Sequence, residues 1–67
     1  MTDGKPYAAG TILEIRNRRK TYRARVVRQE ADDAYVVELW QYGGWDTDMR
    51  LVVKQSQIIR VEQEQPQ

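Results

Sequence analysis

The sequence predicts an all-β domain: a small barrel of five short strands, with a single 3₁₀ turn before the last. Three observations predict it. Apolar and charged residues alternate at period two over short runs, β-branched and aromatic types are frequent in those runs, and turn-forming clusters separate them at intervals of about 8–12 residues. In the same windows the apolar residues do not recur at three and four, as a helix face would require.

Each element follows in order. Gly4, Pro6 and Gly10 make residues 1–10 a flexible lead-in. Thr11 to Arg16 is the first strand, with Thr11, Leu13 and Ile15 on one face and Ile12, Glu14 and Arg16 on the other. Tyr22 to Val27 is the second, turning Tyr22, Ala24 and Val26 inward and Arg23 and Arg25 outward. Between them Asn17-Arg18-Arg19-Lys20 opens with Asn, which tolerates left-handed backbone, so the two strands are expected to form a hairpin. An acidic connection, Glu30 to Asp33, leads into Ala34 to Trp40, where Tyr35, Val37 and Leu39 face a core while Glu38 and Trp40 point away. Tyr42-Gly43-Gly44-Trp45-Asp46 is the next break, its paired glycines permitting positive φ. Met49 to Val53 follows, with Met49, Leu51 and Val53 on one side. Lys54 to Gln57 fits a single 3₁₀ turn, and Ile58 to Val61 completes the set. The barrel thus spans residues 11–61, closed or nearly closed so that few edges remain exposed, and residues 62–67 form a disordered tail.

Composition limits what such a domain can do. A chain of 67 residues buries only about 60% of the surface its unfolded form exposes. Without cysteine, its stability of about 3–5 kcal/mol rests on packing and strand pairing alone. Histidine is absent as well, which removes the side chain that titrates near neutrality along with the best neutral-pH nucleophile. The chain is therefore expected to bind rather than to catalyse, with no cofactor. Asp32-Asp33 and Asp46-Thr47-Asp48 fall short of a calcium loop's ligand set and read as solvated turn residues, so no metal site is expected. Met1 to Lys5 is polar, and no stretch approaches the roughly 20 apolar residues needed to span a bilayer. A soluble cytoplasmic protein with no membrane insertion is expected.

The strongest functional signal is the placement of charge. The net charge is only +1, yet Arg16, Arg18, Arg19, Lys20, Arg23, Arg25 and Arg28 stand together with no acidic residue among them. From Glu30 to Asp48 the sign inverts, with six acids and no Lys or Arg. Arginine binds carboxylates and phosphates bidentately, so the basic hairpin is a candidate for an acidic partner. The competing reading is a solubilising outer face whose arginines pair with cross-strand acids such as Glu14 and Glu38. Trp40, Tyr42 and Trp45 cluster at the glycine turn and form a second candidate patch, although Trp45 could equally fold over the open end of a small barrel.

Four segments taken in order, Gly10-Thr11, Ile15-Arg16-Asn17, Tyr22 with Val26-Val27-Arg28, and Gly43-Gly44-Trp45-Asp46, resemble the small ferredoxin-docking S subunit of the photosynthetic NAD(P)H dehydrogenase-like complex of cyanobacteria and chloroplasts. That family is an SH3-like barrel. The resemblance covers Gly10 to Val61; its most specific element is the Gly-Trp-Asp turn. It implies a non-catalytic small subunit, peripheral to a membrane complex, whose basic surface captures an acidic, ferredoxin-like carrier. The hairpin here is richer in arginine than that family's, and the stretch after Trp45-Asp46 is longer.

Three partner classes follow from these residues: an acidic protein, a nucleic acid on the cations and the stacking aromatics, or a second copy joined basic hairpin to acidic segment. The first is the expected function and the second the alternative. The acidic stretch around Trp40, Tyr42 and Trp45 weighs against phosphate.

Overall fold

The computed structural model describes residues 7–64, and all five expected strands are present within them. They are β1 (Ile12–Asn17), β2 (Lys20–Ala31), β3 (Ala34–Gln41), β4 (Gly44–Lys54) and β5 (Ile58–Gln63), with a 3₁₀ turn over Gln55–Gln57 immediately before β5. Every pairing is antiparallel, in the order β4-β3-β2-β1-β5. The lead-in expected over 1–10 and the tail expected over 62–67 fall partly outside the described residues.

Period two places the core as the sequence predicts. Leu13, Ile15, Ala24, Val26, Tyr35, Val37, Leu39 and Val53 form one buried cluster, and Tyr22, Leu51, Ile58 and Tyr7 pack against it. Tyr7 lies tilted against Tyr35 with ring centroids 5.2 Å apart, and the Gly10 amide donates to the Val26 carbonyl at 2.8 Å. Met49, expected beside Leu51 and Val53, is instead 62% exposed.

A closed barrel is not what the ladders make. No pairing joins β4 to β5, so the hydrogen-bonded sheet is open along that seam. Irregular pairing explains the other differences from expectation. Within β2, Val27 and Glu30 are extra residues against β3, since Val26 pairs Val37 while Arg28 pairs Val36, and Gln29 pairs Tyr35 while Ala31 pairs Ala34. A bulge shifts the alternation by one residue, so the sequence pattern ends at Val27 although pairing runs on to Ala31. The same device in β5 makes Ile59 and Glu62 extra, which turns both Ile58 and Val61 toward the face of Ile15 and Leu13 despite their spacing of three. In β4 the four residues Asp46 to Met49 stand opposite the single Leu39, between the pairs Trp40–Trp45 and Glu38–Arg50. Asp46 stabilises this excursion by accepting from the Asp48 amide at 3.2 Å.

Two turns also differ from expectation. The left-handed residue of the first hairpin is Arg18 (φ 57°), not Asn17, because Asn17 still pairs with Lys20 and leaves only Arg18 and Arg19 to reverse the chain. The break after β3 is likewise only two residues long: Gln41 pairs with Gly44, and Tyr42 (φ 56°) and Gly43 (φ 82°) supply both positive dihedrals. Gly44, Trp45 and Asp46 belong to β4.

Candidate functional site

The structure divides the candidate residues between two faces of β2. Tyr22 points inward and Arg23 outward, as alternation along a strand requires, so the cations of the strand, Arg23 and Arg25, lie on a different face from the hollow that Tyr22 lines with the cations of the turn.

On the outward face the arginines meet acids. Arg25 Nη2 donates to Glu38 Oε1 at 2.7 Å, and Arg50 Nε lies 3.4 Å from Glu38 Oε2, so one carboxylate ties β2, β3 and β4 together. Glu38 is only 4% exposed. Its carboxyl is held below the ordinary carboxylate range, chiefly by the hydrogen bond from Arg25; desolvation on burial opposes this, and the charges of Arg25 and Arg50 assist it. The Arg25 guanidinium carbon sits 4.7 Å from the Trp45 ring centroid, and Trp45 meets Trp40 edge to face, 5.2 Å between centroids and 82° between planes. Trp45 is thus occupied from two sides rather than folded over an open barrel end.

Two further carboxylates complete that face. Arg23 Nε donates to Glu62 Oε1 at 2.9 Å, and Arg60 Nε donates to Glu14 Oε1 at 2.8 Å, although Glu14 stands opposite Arg23 in the β1–β2 ladder. Arg28 pairs with Glu30. A shallow depression of about 310 Å³ lies here, lined by Ile12, Arg23, Trp40, Trp45, Glu62 and Gln63.

The hairpin tip is different. Arg16, Arg18, Arg19 and Lys20 are exposed and form no ion pair among the described residues. Asn17, Arg18, Arg19 and Lys20 line an open hollow of about 830 Å³ together with Tyr22 and Leu51. That lies within the roughly 300–1,000 Å³ of ordinary ligand sites. Tyr22 and Leu51 are half-buried and packed on the core, so the floor is apolar and fixed while the rim is cationic. The sequence signals the rim through its charge run. Leu51 escapes notice because it comes from β4, 29 positions after Tyr22, and only the curl of the sheet brings the two together.

Tyr42 belongs to neither surface; it is 98% exposed at the tip of the β3–β4 turn. Among the described residues no group of three or more acidic, His or Cys side chains is placed to hold a metal ion, and no helix is long and apolar enough to cross a membrane. Comparison of the chain with protein-family models, with curated proteins and with solved structures finds no match in any of the three.

Proposed function

We propose that this chain is a non-catalytic docking module that engages carboxylates on an acidic protein partner through the tip of the β1–β2 hairpin. The observation that carries this reading is the contrast in charge pairing: Arg23, Arg25 and Arg28 are matched to Glu62, Glu38 and Glu30, whereas Arg16, Arg18, Arg19 and Lys20 form no ion pair among the described residues. Unmatched cations gathered on a protein of net charge +1 suit steering of an acidic surface, because local complementarity raises association rates without a large net charge.

An SH3-like barrel is the finer architecture that fits. Its support is the four-stranded meander of β1 to β4, the 3₁₀ turn before the last strand, and the return of β5 to β1. In this reading the barrel is left unzipped between β4 and β5. The resemblance of residues 10–61 to the ferredoxin-docking subunit belongs with it and makes the partner an acidic electron carrier met by a small subunit of a larger complex, peripheral to a membrane on its cytoplasmic side.

The test is a titration against an acidic ferredoxin at low and rising salt, using wild-type protein, the triple reversal Arg18→Glu/Arg19→Glu/Lys20→Glu, and Arg28→Ala as a control. The triple variant should lose binding while the control keeps it, and binding should weaken with salt. A triple variant that binds like wild type overturns the proposal.

A further inference from the structure

The hollow beside the hairpin tip offers a chemistry that charge recognition alone leaves unused. Its floor is Tyr22 and Leu51, both anchored in the core cluster, and its rim is Arg18, Arg19 and Lys20 together with Asn17. Among the described residues no acidic side chain lines it. A two-residue turn with Arg18 in the left-handed region carries the rim, whose exposed side chains a ligand would still have to order, whereas the floor is already held by the core.

We infer that the docked segment is an acidic peptide stretch carrying one apolar side chain, aliphatic or aromatic, which seats between Tyr22 and Leu51 while its flanking carboxylates meet Arg18, Arg19 and Lys20. This rests on the docking proposal above and adds the anchor that it lacks. Apolar floor and cationic rim together reproduce the usual division of labour at an interface, in which a desolvated central contact supplies affinity and surrounding charge supplies rate and register. A polynucleotide fits less well. The paired tryptophans on which bases would stack lie on the opposite side of β2, and Trp45 already carries Arg25 on one face.

The experiment uses three peptides of equal length and charge, Asp-Glu-Xaa-Glu-Asp with Xaa as Phe, Leu or Ser, and an oligothymidylate of the same charge. Each is titrated into the full chain while backbone amide shifts are followed. The Phe and Leu peptides should bind roughly tenfold more tightly than the Ser peptide, as burial of one apolar side chain implies. Their shifts should centre on Tyr22 and Leu51, and all three should weaken with salt. Leu51→Gln, with its fold checked by circular dichroism, should erase the difference between Phe and Ser while leaving the Ser peptide's affinity in place. Equal binding of all three peptides removes the anchor and leaves charge docking intact. Absence of binding by any acidic peptide at low salt overturns both proposals, and tighter binding of the oligothymidylate than of the Phe peptide overturns the choice of partner.

Discussion

Arg25 lies against two partners at once: Glu38, to which it donates at 2.7 Å, and the Trp45 ring, whose centroid is 4.7 Å from its guanidinium carbon. The planar guanidinium can offer its edge to a carboxylate and its face to an indole, which an ammonium cannot do. Arg25→Ala leaves the buried Glu38 with Arg50 alone and uncovers one face of Trp45. The expected loss is about 1–3 kcal/mol, between the values for exposed and fully buried pairs. Arg25→Lys should recover only part of it, as read from midpoints of urea unfolding.

Glu38 also sets an acid limit on stability. Its folded-state pKa lies below the ordinary 4.5, so the unfolded chain takes up the proton more readily and acid favours unfolding. The stabilisation is fully present above about pH 4.5 and drains away as pH falls toward the depressed folded-state value. Urea melts of wild type and Glu38→Gln at pH 7 and at progressively lower pH should show the gap between them narrowing in acid. A constant gap would contradict the ion-pair assignment.

The φ of +56° at Tyr42 is costly for a residue with a Cβ, and an almost fully exposed ring recovers nothing by burial. Tyr42→Asn should therefore stabilise the domain by about 0.5–1 kcal/mol, raising Tm by roughly 2–8 °C for a chain of this size. Gly43→Ala should move Tm the other way, since Gly43 sits at φ +82° although space around it is open.

Trp40 and Trp45 face each other directly across the β3–β4 ladder, close enough for their indole transitions to couple. Wild-type protein should show an exciton couplet in the far-ultraviolet circular dichroism, and either Trp40→Phe or Trp45→Phe alone should abolish it. The accompanying stability loss should be about 0.5–1.5 kcal/mol.

Much of the fold was legible because alternation is a local signal. Leu13, Ile15, Ala24, Val26, Tyr35, Val37 and Leu39 all face the core as their spacing predicts. Alternation fails where pairing is irregular: the bulges at Val27 and Glu30 hid the second half of β2, and the excursion from Asp46 to Met49 made the start of β4 read as loop. Arg18 took the left-handed position because the register of the hairpin, not side-chain preference, decides which residues turn. Charge behaved similarly. The pairing of Glu38 with an arginine was foreseeable from the sequence, but whether Glu14 would meet Arg23 or Arg60 depends on β5 lying beside β1, a contact across 46 residues of chain. Which cations remain unmatched therefore could not be read from the charge run itself.

The excursion in β4 bears finally on how this molecule tolerates crowding by its own kind. An open seam gives the sheet two outer strands, and a straight outer strand is a template on which a neighbouring chain can add and start fibril growth. In β4, Asp46 to Met49 break the run of ladder positions, and Arg50 and Lys54 bracket the straight stretch that follows. A second copy laid antiparallel about Val52 would bring Arg50 against Lys54, cation against cation, so this outer strand carries its own deterrent to amyloid-type addition.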